Sequence, residues 1–226
     1  MSFVRLTLIV PALDAAIFLP ASLAALAEAP AAERILVDGG SSDATRDIAA
    51  AKGWRVVDAP RGRGIQLDRG AREAAGDWLL FVHADTVLAP GWHTSVREFA
   101  TDPDNVARAG YFRLAFATDN PRAARVARLA NWRARTLGLP YGDQALLIAR
   151  AAYEKLGGYR PLPLMEDVDF VRRIGRENLR QLDGAAVTSP ARYERDGWWR
   201  RPARNLLYLT LWFAGVSPAR LARLYR

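Results

Sequence analysis

Four carboxylates, Asp38, Asp85, Glu166 and Asp167, occur where this chain could do chemistry. Asp38 ends the apolar run RILVD and opens VDGGSSDAT. There Gly39 and Gly40 allow a tight turn with exposed backbone, and Ser42 or Asp43 can cap the helix that follows. A helix N-terminus beside such a turn can receive an anion; the same residues also describe an ordinary capped turn between strand and helix. The GK[ST] ending of a Walker loop is missing, and there is no GxGxxG fingerprint. Asp85 closes FVHADT. One carboxylate is enough to hold Mg2+ or Mn2+ when the phosphates of a substrate complete the coordination. His83 falls two residues earlier and shares its side if strand geometry persists. Imidazole is a poorer ligand for such hard ions, so His83 reads as a neighbour of the phosphates. Glu166 and Asp167 stand together in MEDVDF. Such a pair can take the proton of an attacking hydroxyl, or it can simply enrich the first turn of a helix running to Arg173.

The remaining composition narrows the chemistry. The 226 residues include no cysteine and two histidines, His83 and His93. That excludes disulfides, thiolate metal sites, a thiol nucleophile and a multi-histidine centre, so any metal must be held mainly by oxygen. With 50% hydrophobic and 25% charged residues the chain has an ordinary globular composition. Without cysteine or an export signal, the expected compartment is the cytoplasm. Pro11 and Asp14 interrupt the apolar N-terminus, against a signal peptide.

These carboxylates need a scaffold, and the first half supplies a repeating one. Residues 3–10 read as a strand and 15–29 as a helix. RILVD, a helix over 42–51, WRVVD, a helix over 64–75 and DWLLFV follow. Apolar runs without polar alternation, spaced by helices, predict parallel strands covered on both faces. Ligands of such sheets bind beyond the carboxyl ends of the strands, where Asp38 and Asp85 fall. The later chain predicts helices at 92–100, 121–135 and 151–156, a strand over 110–116, and two short C-terminal helices. It is read as one domain over 1–226: a nucleotide-binding half (1–90), an acceptor and catalytic half (91–190) and a basic, partly apolar end (191–226).

The formal charge of +8 is uneven. Residues 191–226 hold eight arginines against Glu194 and Asp196, a net +6, and residues 120–135 hold five arginines and no acid, leaving the rest mildly acidic. Two basic segments suit phosphates or an anionic surface, or are solvated helix faces.

Taken in order, IVPALD, VDGGSSDAT, GRGIQLDRGA, GDWLLFVHADT, YGDQALLIAR and PLMEDVDFVRR resemble the family 2 glycosyltransferases. The small bacterial "transferase 2" branch associated with radical-SAM and selenodomain gene neighbourhoods is the nearest likeness, and it extends to the ending SPARLARLYR. The resemblance implies a GT-A fold: a Rossmann-like, mostly parallel sheet with helices on both faces and a C-terminal helical segment. It implies inverting transfer of a sugar from a nucleoside-diphosphate sugar, first a UDP-sugar and second a GDP-sugar, with Mg2+ or Mn2+. Pro11, Leu13, Asp38 and Arg63 would contact the nucleotide. Asp85 would hold the metal as the last acid of a DxD motif whose first position is His83. Asp167, paired with Glu166, would be the general base, and Asp143 and Gln144 would line the sugar or acceptor pocket. Asp14 and Ala15 replace the usual Asn and Glu, and Asp68 stands where Asn is common. RYERDGW resembles the QxxRW signature with the tryptophan displaced; an arginine there can reach a diphosphate.

Two rival functions fit parts of the sequence. A sugar nucleotidylyltransferase needs a GxGxRL segment near the start, where this chain has PALD. An arginine-driven binder of nucleic acid or of an anionic surface leaves the four carboxylates without a role, so no nucleic-acid partner is expected. The acceptor remains open; a lipid-linked one would suit the basic end, with Trp198, Trp199 and the apolar run 206–216, through peripheral contact with the inner membrane face. Eleven apolar residues are too short to span a bilayer and are also a common core-helix length.

Overall fold

The computed structural model describes residues 4–29 and 31–224. Residue 3, where the first strand was expected to begin, and Arg226 of the basic end lie outside the described residues. The first half follows the predicted alternation: β1 (Leu6–Ala12), α1 (Leu19–Leu26), β2 (Glu33–Asp38), α2 (Thr45–Ala51), β3 (Arg55–Asp58), α3 (Arg63–Glu73) and β4 (Trp78–Phe81). The second half adds β5 (Thr86–Leu88), α4 (Trp92–Thr101), β6 (Ala109–Phe116), α5 (Pro121–Leu137), β7 (Leu146–Ala149), α6 (Arg150–Lys155), α7 (Glu166–Ile174) and β8 (Leu179–Thr188). It closes with α8 (Ala191–Asp196), α9 (Arg200–Phe213) and α10 (Pro218–Leu224).

One eight-stranded sheet runs in the order β3-β2-β1-β4-β7-β6-β8-β5. β1 lies parallel to β2 and β4, and β2 to β3, while β7 enters antiparallel between β4 and β6. β8 runs parallel to β6 and antiparallel to β5. Side chains alternate across the sheet as strand geometry requires. Ile9, Leu79, Phe81 and Ile148 enter one core with α3, α7 and α9. Leu8, Val10, Leu80 and Leu147 enter the opposite core with α1 and α4. Both faces are covered, so the strands carry no polar alternation.

Two differences from the sequence reading have local causes. α1 begins at Leu19 rather than near residue 15, with Ala15–Phe18 forming a turn closed by Leu19 N–H to Ala15 O at 2.9 Å; Pro20, without an N–H, fits only the first helical turn. β8 was not expected: a register shift against β6 between Tyr111 and Arg113 breaks its periodicity, and its buried positions carry no clean two-residue signal. α5 starts as a helix should, with Asn120 accepting the N–H of Arg122 at 2.9 Å and Pro121 in the first turn, and ends at Gly138 with φ 64°.

Candidate active site

The carboxyl ends of β1 and β2 are zipped into one turn system. Asp38, 1% exposed, accepts the N–H of Gly40 at 3.2 Å, that of Ser41 at 3.1 Å and the Ser41 hydroxyl at 2.5 Å. Arg46 of α2 adds an ion pair at 3.0 Å and also pairs with Asp58. Burial pulls the Asp38 pKa up, but the donors from Ser41, Arg46 and Gly40 outweigh it and hold the carboxyl below its ordinary value. Asp14, with φ 47°, accepts the N–H of Ser42 at 2.8 Å, and Asp43 accepts that of Thr45, the first residue of α2, at 3.0 Å. Gln66 of α3, which the sequence reading passed over, donates to Ala12 O and Val37 O at 2.8 and 2.9 Å and braces the two strand ends. Pro11 is buried and Leu13 half-buried beside this turn.

A cavity of about 730 Å³ opens further along the same sheet edge, and it gathers Arg63, His83, Asp85, Asp143, Glu166 and Asp167. Pro11, Leu13 and Asp38 are not among its lining residues, and neither is Gln144. Gln144 is fully buried; its amide donates to Phe112 O at 3.1 Å and its oxygen accepts the N–H of Tyr141 at 3.3 Å. It shapes the 141–145 turn from behind, and Asp143 is the member of the pair that faces the cavity.

Each cavity residue has a structural reason for its place. α7 begins at Glu166 because Met165 takes a left-handed φ of 66°, and the acids of its first turn suit the helix dipole. The three acids then diverge. Glu166 pairs with Arg63 at 3.1 Å, Asp167 faces the 142–144 turn, and Asp169 points back to Arg160 and Arg173 at 3.0 and 2.7 Å. Arg63 reaches Glu166 because Gly64 packs where any Cβ would overlap Arg160 O, which brings α3 against the chain leading into α7. Asp167 accepts the N–H groups of Gly142 at 3.1 Å and Val168 at 2.8 Å. Each of its oxygens keeps a second lone pair.

The electrostatics divide the site. Burial, with the charges of Arg63 and Arg192, pushes His83 down to about 3 against the pull of Asp85, so its imidazole is neutral near pH 7. Burial lifts the Glu166 pKa, and the Arg63 guanidinium draws it back. Burial pushes Asp143 up to about 6, with Asp167 and Asp85 adding to it and Arg133 and Arg63 opposing. Asp143 Oδ1 is buried without a hydrogen-bond partner among the described residues. Asp85 lies 3.5 Å from Arg192 of α8. For a hard divalent ion the fitting donors here are the Asp85 carboxylate and the oxygens of a bound diphosphate; the described residues hold no cluster of three or more His, Asp or Glu suited to a metal.

The outer walls come from elements whose role was not legible in the sequence. α5 forms one wall with Val126, Leu129 and Arg133, whose guanidinium stacks 3.3 Å from the Tyr141 ring centroid. α8 and α9 form the other with Tyr193, Leu206 and Leu209. Arg133 was visible only as one of five arginines; its spacing from the buried Val126 and Ala130 was the signal that it turns inward.

Comparison with known proteins gives these positions a context. The sequence model of glycosyl transferase family 2 matches residues 7–156. A PGL/p-HBAD biosynthesis glycosyltransferase of Mycobacterium bovis (strain BCG / Pasteur 1173P2) is 40% identical over 91 residues, a match covering 36% of the chain and 36% of that relative. The chain thus spans about a third of the curated relatives it matches. Among solved structures, the mannosyltransferase PcManGT from Pyrobaculum calidifontis, in complex with GDP-Man and Mn2+, superposes with a TM-score of 0.69 at 19% identity, covering 97% of this chain and 68% of that one. Glucosyl-3-phosphoglycerate synthase from Mycobacterium tuberculosis, in complex with Mn2+, UDP and glucosyl-3-phosphoglycerate, gives 0.58 at 20% identity, covering 82% and 70%. At these identities the structures share the fold, the GT-A arrangement of sheet and helices.

Proposed function

The chain belongs to glycosyl transferase family 2, and we propose that it inverts the anomeric centre of a nucleoside-diphosphate sugar while transferring the sugar to a hydroxyl acceptor. The observation that carries this reading is the meeting of Asp85, Arg63 and the Glu166–Asp167 pair in one cavity at the carboxyl edge of the sheet. The chain is read as a single catalytic unit whose first half holds the nucleotide. The turn formed by Pro11, Leu13 and Asp38 takes the nucleoside, and Arg63 faces the diphosphate. A UDP-sugar is the first candidate and a GDP-sugar the second; the like-folded proteins in complex with UDP or GDP-Man and Mn2+ support both.

The acceptor oxygen forms its bond to the anomeric carbon as the bond from that carbon to the diphosphate oxygen breaks, and the hydroxyl proton passes to Asp167. Arg63, paired with Glu166 at 3.1 Å, stabilises negative charge at the cavity floor. Asp85, together with the diphosphate, would hold a Mg2+ or Mn2+ ion, which would supply neutralisation of the leaving group. Asp143 faces the sugar or the acceptor, with Gln144 fixing its turn.

Thermal melting with UDP, UDP-glucose, GDP and GDP-mannose, each with and without Mn2+, tests this reading. A donor at 100 times its Kd adds about 2.7 kcal/mol, a shift of about 5–10 °C for a chain of this size. No shift with any nucleotide at millimolar concentration overturns it.

A further inference from the structure

The two basic segments, far apart in sequence, form opposite walls of one cavity mouth. α5 carries Arg122, Arg125, Arg128 and Arg135, all exposed, and no acid occurs from residue 120 to 135. Large apolar side chains stand among them in the open: Leu129 is 58% exposed and Trp132 51%. Across the mouth, α9 exposes Leu206 at 64% and Phe213 at 50%. Helical spacing puts Arg122, Arg125, Leu129 and Trp132 on one outward stripe of α5, and Leu206 with Phe213 on one of α9. The opposite side of α9 is core, with Tyr208 buried, and Leu209 is buried beside the stripe. The segment is therefore core on one face and solvent-exposed on the other.

Single exposed leucines need no explanation, but exposed apolar side chains on two walls of one cavity, set among α5 arginines that have no ion pair among the described residues, do. This combination is that of a surface that settles into the headgroup region of an anionic bilayer. We propose that the α5–α9 mouth docks on an anionic membrane leaflet and that the acceptor is an amphiphilic alcohol resident there, an assignment of acceptor that rests on the transferase reading above. The rim continues inward through Val126 and Leu209, which line the cavity that also holds Asp143 and Asp167. An apolar tail lying between α5 and α9 thus leads its hydroxyl toward the carboxylates, without the whole molecule leaving the lipid. The cations concerned are those of α5 together with Arg200, which is exposed. Arg201 and Arg204 already pair with Asp196 at 2.6 and 3.2 Å.

Co-sedimentation with vesicles of equimolar phosphatidylglycerol and phosphatidylcholine tests the proposal. The protein should pellet with them at low salt, release as salt rises, and ignore vesicles of phosphatidylcholine alone. The triple variant Arg122→Gln, Arg125→Gln, Arg128→Gln should bind on the order of 100-fold more weakly, at roughly fivefold per arginine. Leu206→Ser with Phe213→Ser should weaken binding with every charge in place, and Arg97→Gln on α4, across the sheet, should change nothing. Protein that stays in the supernatant at low salt, or an arginine triple variant that binds like the parent, overturns the proposal. So does a self-associated species, stable at low concentration, that covers the rim and leaves vesicles unbound. Calorimetry with UDP and with GDP, each with Mn2+, on the same preparations separates the two readings. Nucleotide binding without vesicle binding removes the docking surface alone, and vesicle binding without nucleotide binding removes the transferase reading and the acceptor with it.

Discussion

Asp167 Oδ2 accepts the backbone N–H of Gly142 at 3.1 Å, a bond that reaches across 25 residues from the start of α7 to the turn carrying Asp143. The carboxylate proposed as base is therefore also a fixed point of the cavity wall. Its position is set by backbone on two sides, because Val168 N–H holds the other oxygen at 2.8 Å. A base held this way needs little reorganisation when an acceptor arrives.

Asp167→Asn should separate those two duties. The amide oxygen can still accept from Gly142 and keep the turn, but the amide cannot take a proton. Donor Kd should stay within a few-fold while turnover falls by roughly 100-fold or more. Calorimetry for the donor and single-turnover hydrolysis of the sugar nucleotide read the two quantities. Loss of both together would assign Asp167 to positioning alone.

Asp143 gives a pH-dependent stability whose sign is fixed by its raised pKa. Between the ordinary 3.8 and about 6 the folded protein keeps a proton that the unfolded chain releases. Stability is then full below about pH 4, declines as pH rises through this window, and stays lower above it. Asp143→Asn removes the cost of the buried charge, so the variant should be about 3 kcal/mol more stable than the parent at pH 7. For a chain this long that is about 6–12 °C in melting temperature. The gap should close near pH 4; an equal gap at both pH values would place the effect elsewhere.

Asp85→Ala should abolish the contribution of Mn2+ to UDP binding and leave metal-free affinity within a few-fold. The check is calorimetry with and without Mn2+. Equal metal dependence in variant and parent would show that Asp85 is not the ligand. Arg192, freed from Asp85 in the variant, supplies a compensating cation for the phosphates, which is why the metal-free value should hold.

Gly142→Ala should disturb the site without touching a charged group. A methyl there overlaps the His83 imidazole at Nε2 and Cε1, so ring or turn must move, at a cost of about 1–3 kcal/mol. His83→Ala in the same chain opens the space. The double variant should recover part of the loss in a thermal-denaturation cycle, and strict additivity would contradict a direct contact.

What was legible in the sequence was local. The apolar runs of β1, β2 and β4, and the positions of Asp38 at the end of β2 and Asp85 beyond the end of β4, followed from hydrophobic pattern and turn chemistry. The division of labour in MEDVD was not: three acids within four residues look alike until Arg63, Gly142 and the Arg160–Arg173 pair each claim one. Gln144 reads as a polar pocket residue, yet its amide serves Phe112 O inside the fold. β8 stayed hidden because the irregularity against β6 removes the alternation that marks a strand. The α5 and α9 walls depend on helices brought together by a sheet whose strand order is not their order in the chain, and no window of sequence contains that information.

That strand order also sets the timing of assembly. β4 acquires its second neighbour only when Leu146–Ala149 exists, so the WLLF edge of a growing chain waits for residues that follow it by more than sixty positions. At the usual pace of synthesis the wait is about 3–14 s. During it an apolar strand has an open side able to pair with any passing strand. The nascent N-terminal half is thus the form of this protein most exposed to aggregation. Translation speed and chaperone supply between β4 and β7, more than the equilibrium stability of the finished fold, should govern how much of it is recovered intact.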